Sequence, residues 1–213
     1  MLRLLSERVL LVEMGDPAAM DAITRARVRA AVEQLRRRPI PGVIDIVPAY
    51  NTIAVHGAGP LGDDFVGEVR RRLAELVGVT PPPGRLVDVP VRYGGADGPD
   101  LEELASHAGL SASEVITLHT EAVYEVAMVG FSPGFPYLAG LPERLTMPRR
   151  TSPRTQVPAG SVAIGGRQTG IYPLASPGGW RLIGRTRLPL FTPTQDPPTL
   201  LVLGDRVRFV PEG

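Results

Sequence analysis

The sequence predicts an α+β protein in two parts, an N-terminal ferredoxin-like βαββαβ domain followed by a β-barrel domain. Three observations carry this. Strand and helix patterns alternate over about the first ninety residues, and a glycine-rich linker, Gly94-Gly95-Ala96-Asp97-Gly98-Pro99, follows them. From residue 130 to 180, nine glycines and eight prolines fill 17 of 51 positions, too many for helices. The expected domains are therefore residues 1–93 and 97–213.

Arg8 to Met14 is a short apolar run and reads as the first strand. Asp16 and Pro17 then read as the N-cap and first position of a helix, since proline lacks only an N–H that is unpaired there anyway. Met20, Ile23, Val28, Ala31 and Leu35 recur at helical spacing, and Arg36, Arg37 and Arg38 meet the negative end of the helix dipole before Pro39 stops it. Val43 to Val47 and Thr52 to His56 read as two strands joined through Pro48 and Asn51. Asp63 or Asp64 is expected to cap a second helix that buries Phe65, Val66, Val69, Leu73 and Leu76 and closes at Gly78. After Pro81-Pro82-Pro83-Gly84, the alternation of Val87, Val89, Val91 and Tyr93 with Asp88 and Arg92 predicts the half-buried strand that completes βαββαβ.

Beyond the linker, Asp100 with Glu103 and Ser111 with Glu114 are two capping boxes, each opening a short helix. Ala122 to Val129 reads as a strand. Val162 to Ile164, Gly170 to Tyr172, Trp180 to Ile183 and Leu200 to Leu203 are short strands divided by glycine and proline, the pattern of a β-barrel or sandwich with long, defined loops.

All 23 basic residues are arginine, against 22 acids, and the chain has no lysine and no cysteine. That excludes Schiff-base chemistry, a GxxxxGK[ST] phosphate loop, a biotinyl-lysine, disulfides and thiolate nucleophiles. His56, His107 and His119 form no HExxH pair, so no metal site is expected from local spacing. His119 reads as a cation at a helix C-terminus rather than a catalytic group. A net charge of +1 argues against a nucleic-acid partner. Arg3, Glu7 and Arg8 interrupt the apolar start, and no run approaches the roughly 18 apolar residues of a membrane helix, so a cytoplasmic protein with no membrane association is expected.

Charge is unevenly distributed. Residues 88–143 hold nine acids and one arginine, and residues 144–208 hold ten arginines and two acids. The stretches are read either as compensating one another or as presenting a basic surface to a ligand.

Candidate site residues concentrate in the second of these stretches. Pro133, Pro136, Pro148, Pro153 and Pro158 stiffen the segment from Gly130 to Gly160, which carries Arg149, Arg150 and Arg154. A guanidinium fork matches carboxylate or phosphate, and each arginine either binds such a group or pairs with the acidic stretch. Arg154, bracketed most closely by prolines, is the first catalytic candidate, with Arg149 and Arg150 as substrate contacts. Gln168, beside Thr169, offers an amide to a lactam, urea or carboxamide and is the second catalytic candidate. Gly165-Gly166, Gly170 and the substrate-contact candidates Gly178 and Gly179 either admit close approach of a ligand or form hairpin turns. Phe135, Tyr172 and Trp180 are candidate aromatic contacts, although a single Trp in a small barrel is more often a core residue. Ser161 lacks a neighbouring base and is taken as a substrate contact, not a nucleophile.

The blocks GFSPGFPYLAGLPERL and PAGSVAIGGRQTGIYPLASPGGW resemble the family variously called allophanate hydrolase subunit 1, KipI-type kinase inhibitor and the B subunit of bacterial 5-oxoprolinase. The resemblance runs from about Val91 through DGPDLEELA and GLSASEVITLH to GDRVRF at 204–209. It implies a cyclophilin-like β-barrel after a small α+β domain, without implying prolyl isomerisation. It further implies a subunit of an ATP-dependent 5-oxoprolinase that cleaves 5-oxo-L-proline to L-glutamate, with ATP and its Mg as cosubstrate. The implied partners are the enzyme's C subunit, an allophanate hydrolase subunit 2-like chain, and a third LamB/YcsF-type subunit. The same blocks belong to the branches that inhibit a sensor histidine kinase or form half of a biotin-dependent urea or amide carboxyltransferase. In the latter case biotin must arrive on another protein, since this chain has no lysine to carry it.

Overall fold

Alternating burial organises the N-terminal sheet: Leu10 and Val12 on one strand face the same buried side as Ile53 and Val55 on its neighbour. The structure, a computed structural model, describes residues 1–16, 21–76 and 81–212. It divides into two units, Met1–Pro82 and Pro83–Gly213.

The first unit runs β1 (Leu2–Ser6), β2 (Val9–Glu13), α1 (Ala22–Arg37), β3 (Val43–Pro48), β4 (Thr52–Gly57) and α2 (Asp63–Ala74). Its sheet has the order β1-β2-β4-β3, antiparallel throughout. Helix α1 buries Val28, Ala31 and Leu35 as its spacing predicts, whereas Ile23 is 73% exposed. Its cap is Asp21, not Asp16: the Asp21 carboxylate accepts from the Thr24 amide (2.7 Å) and hydroxyl (2.9 Å). Helix α2 follows Gly62, which gives no side-chain cap, so neither Asp63 nor Asp64 is the cap; both sit in the first turn, where the dipole favours them. The expectations for Pro17, Met20 and Gly78 fall outside the described residues.

The ferredoxin-like expectation is corrected here. The edge position next to β2 is taken by the N-terminal β1, and the strand meant to complete βαββαβ, β5 (Leu86–Tyr93), belongs to the second unit. The division accordingly falls between Pro82 and Pro83, before β5 rather than after Tyr93. β5 runs parallel to a strand some 120 positions further on, which local alternation cannot announce.

After β5 come α3 (Leu101–Ala108), α4 (Ala112–Glu121), β6 (Val123–Val129), β7 (Pro136–Ala139), a 3₁₀ turn (Glu143–Leu145), β8 (Arg154–Val157), β9 (Ser161–Gly165), β10 (Gln168–Ile171), β11 (Ser176–Gly178), β12 (Arg181–Arg185) and β13 (Arg206–Pro211). Seven of these close a barrel in the order β10-β7-β6-β13-β5-β12-β9, with β5 and β13 the parallel pair, and β8 and β11 form a small separate sheet. Val89, Val91, Val126, Ile164, Val207 and Phe209 fill the barrel core, joined by Leu104 of α3 and Val115 of α4. The Ser111–Glu114 capping box forms in full. The one expected at Asp100 and Glu103 does not, because the Asp100 carboxylate is used elsewhere. Leu200 to Leu203 is irregular, with Leu201 buried, rather than a strand. Among the described residues no helix is long and apolar enough to cross a membrane, and no cluster of three His, Asp or Glu is placed to hold a metal ion.

Candidate active site

Strand β9 supplies two cores at once. Its alternate residues Val162 and Ile164 enter the barrel, while Ala163 turns outward, and the residue two further on that same face is Gly165. A Cβ on Gly165 would lie 2.6 Å from the Trp180 indole, and Gly170, paired with Ala163, sits directly beneath Phe135. These small residues make a floor on which an outer aromatic cluster lies: Phe135, Tyr137, Tyr172 and Trp180. Phe135 meets Tyr172 edge-on at 5.1 Å and Trp180 at 5.5 Å, near-perpendicular contacts that hold rings firmly. Phe131 closes the mouth. It is 62% exposed yet holds φ at +68°, a conformation a bulky residue adopts only where its surroundings enforce it.

Together with Arg149, Arg150, Pro153, Gly178 and Gly179 these rings line a cavity of about 200 Å³. Gly178 is required there, because a Cβ would strike the Tyr172 hydroxyl. Burial pushes the Tyr172 and Tyr137 phenols above their ordinary pKa, against the opposing pull of Arg149, so both remain neutral hydrogen-bonding groups.

The arginines divide. Arg154 donates to Asp100 Oδ1 at 2.8 Å and Arg150 lies 3.5 Å from the same oxygen, while Asp100 Oδ2 accepts from the Leu182 amide at 2.7 Å. Asp100 is only 4% exposed, so this cluster ties the arginine segment to β12 and the start of α3. Arg149 is different. It makes no ion pair or hydrogen bond among the described residues, and its guanidinium carbon stands 5.5 Å from the Trp180 ring centroid, a cation–π contact at the pocket rim.

Phe135, Arg149, Arg150, Tyr172, Gly178, Gly179 and Trp180 are therefore brought together as the sequence proposes. Arg154, the first catalytic candidate, lies outside the cavity lining, paired with Asp100. Gln168 also lies outside it, opening β10 opposite Gly165 in the hairpin turn through Gly166. Its neighbour Thr169 faces inward, its hydroxyl bonded to the Ala163 carbonyl (3.0 Å) and to His119 (3.1 Å). Ser161 is buried at the start of β9, where its carbonyl accepts from the Tyr172 amide at 2.9 Å. Sequence reasoning missed Phe131, Tyr137 and Pro153. The signal for Tyr137 was present, since it stands two residues beyond Phe135.

His119 is not a helix-end cation. It is fully buried, bonded to the Tyr93 hydroxyl at 2.8 Å and stacked on Phe209 at 4.4 Å, and burial holds its pKa down at about 3. The opposed charge stretches do compensate: besides Asp100, Glu103 pairs with Arg181 (2.6 Å) and Asp88 with Arg208 (2.7 Å).

Fold and cavity define a two-unit α+β protein that carries an aromatic-lined cavity on the outer face of a closed barrel. The chain belongs to the carboxyltransferase domain family, subdomains C and D, whose pattern matches residues 1–201. Among its relatives, the 5-oxoprolinase B subunit of Escherichia coli O157:H7 is 45% identical, over 98% of this chain and 94% of that protein. The 5-oxoprolinase B subunit of Bacillus subtilis strain 168 is 42% identical, over 93% and 90%. The crystal structure of TTHA0988 superposes with a TM-score of 0.83 at 40% identity; the match covers 97% of this chain and 40% of that longer one.

Proposed function

We propose that this chain is a subunit of an ATP-dependent 5-oxoprolinase complex and that the aromatic pocket receives 5-oxo-L-proline. The observation that carries the reading is a ring-walled cavity of about 200 Å³ with one uncommitted guanidinium, Arg149, at its rim. That volume lies below the roughly 300–1,000 Å³ typical of drug-sized ligands and suits a single small ring. The lactam ring lies against Phe135, Tyr172 and Trp180, and Arg149 takes its carboxylate as a fork. Arg150 and Arg154, fixed by Asp100, act as positioning residues for the segment that carries Arg149. The names of the relatives, each one subunit of a larger enzyme, support a multi-subunit setting.

Opening an unactivated lactam needs a better electrophile. The terminal phosphoryl group of ATP, with its Mg, passes to the lactam oxygen and ADP leaves. Water then adds to the ring carbon and the ring nitrogen departs as the amine, giving an acyl phosphate that a second water hydrolyses to glutamate and phosphate. Neutral tyrosines and the arginine hold and orient the substrate for that sequence. Mixing the purified chain with an allophanate hydrolase subunit 2-like partner and a LamB/YcsF-type subunit should release glutamate from 5-oxoproline and ATP; no glutamate from that mixture overturns the reading.

A further inference from the structure

A second cavity, of about 470 Å³, opens on the barrel unit, and three of its lining residues are arginines: Arg92 from β5 and Arg185 and Arg187 from the end of β12 and beyond. Among the described residues one carboxylate pairs with them. Asp97 lies 2.9 Å from Arg92 and 4.0 Å from Arg185, and Arg187 makes no ion pair or hydrogen bond among the described residues. Three cations against one anion leave an excess of two positive charges around the cavity.

Two of the three guanidiniums, those of Arg92 and Arg185, are held but not consumed. Arg185 Nε donates to the Ala159 carbonyl at 2.8 Å, which aims the rest of its fork, and Arg92 Nε is buried without a hydrogen-bond partner. The loop that carries Arg187 is anchored on both sides, by the Thr186 amide on the Gly160 carbonyl (2.9 Å) and the Leu200 amide on the Leu190 carbonyl (2.9 Å). Anchored forks with spare donors are preorganised, so a ligand loses less entropy in gathering them. Pro189 and Phe191 add an apolar wall to the same cavity.

We propose that this arginine groove is a binding site for a polyphosphate group. Planar forks match carboxylate and phosphate alike, but one carboxylate neutralises half of the excess, whereas two or more linked phosphates match it and span three guanidiniums. The Pro189 and Phe191 wall would then take a ring borne by the same ligand, as in a nucleotide. The groove adjoins the aromatic pocket: Tyr172 lines one, Pro173 the other, and the Gly160 amide bonds the Tyr172 carbonyl at 2.7 Å. The phosphate chemistry stands on these residues alone, and only the carrier's identity as ATP rests on the function proposed above.

The test is calorimetric titration of the full chain, at fixed ionic strength, with inorganic phosphate, tripolyphosphate and ATP. Tripolyphosphate should bind saturably, and about tenfold more weakly in each of Arg92→Gln and Arg187→Gln. Arg167→Gln, an equal charge change on the exposed β9–β10 turn, and Arg149→Gln in the aromatic pocket should leave binding unchanged. ATP binding tighter than tripolyphosphate, with the same losses, supports a nucleotide that uses the apolar wall; ATP and tripolyphosphate binding alike supports the phosphates alone. The proposal is overturned if none of the three ligands saturates, or if Arg167→Gln weakens binding as much as Arg187→Gln. It is equally overturned if Arg149→Gln is the variant that loses it. Because the readout is binding, an inactive subunit mixture would not by itself count against it.

Discussion

The aromatic pocket and the arginine groove lie on either side of Tyr172 and Pro173, yet their cations are managed in opposite ways. Near the aromatic pocket, Asp100 engages Arg150 and Arg154 and leaves Arg149 alone at the rim. In the groove, Asp97 touches Arg92 and Arg185 but cannot offset three charges. The first arrangement fits a small ring with one carboxylate, the second a ligand with several charges. A buried acid placed among arginines thus decides how many of them remain for a ligand.

Removing that acid should have the largest effect. Asp100→Ala leaves two arginines unpaired and the Leu182 amide without its acceptor, so it should cost about 3 kcal/mol in denaturant unfolding. Under stabilising conditions it should also make the aromatic pocket behave more like the groove, with phosphate binding that the parent pocket lacks. Gly178→Ala comes next. Its Cβ has no room beside the Tyr172 hydroxyl, and the overpacking should cost about 2 kcal/mol and close the pocket, seen as lost 5-oxoproline binding.

His119 gives a smaller, pH-dependent effect on stability alone. Its pKa is about 3 in the folded chain against 6.5 when solvated, so below pH 6.5 the unfolded chain takes up a proton that the native state does not. Stability from this group is complete above that pH and falls as pH drops, by up to about 1.4 kcal/mol per unit. In His119→Gln the slope between pH 6.5 and about 5.5, above the range where carboxylates protonate, should flatten whatever its absolute stability. The smallest effect on stability belongs to Arg149→Gln. The side chain is exposed and unpaired, so thermal unfolding should change by less than about 0.5 kcal/mol. The KM for 5-oxoproline should nevertheless rise about tenfold in the active complex.

What was legible in the sequence is what is decided locally. The Ser111–Glu114 box, the spacing of Val28, Ala31 and Leu35, and the proline-stiffened arginine segment all depend on neighbours a few residues away. The failures share a different cause. Asp100 looks like a cap, but its partners Arg154 and Leu182 lie 54 and 82 positions away and win its carboxylate. Tyr93 looks like the end of a small α+β domain because the parallel partner of β5 is at the far end of the chain. Around Gln168 the sequence leaves a ligand contact and a hairpin turn both open; the glycines there shape a hairpin and a floor for Trp180. The aromatic wall itself was partly visible, with Phe135, Tyr172 and Trp180 proposed and Tyr137 and the exposed Phe131 overlooked.

The central claim is that 5-oxoproline sits against Trp180 with its carboxylate on Arg149. Trp180 is the only tryptophan in the chain, so labelling this subunit with 5-fluorotryptophan gives one fluorine resonance even in a complex with unlabelled partners. Titrating 5-oxoproline into that complex should move the resonance saturably, and Arg149→Gln should shift the titration to about tenfold higher concentration. A complex that converts 5-oxoproline to glutamate while the Trp180 resonance stays still would contradict the account.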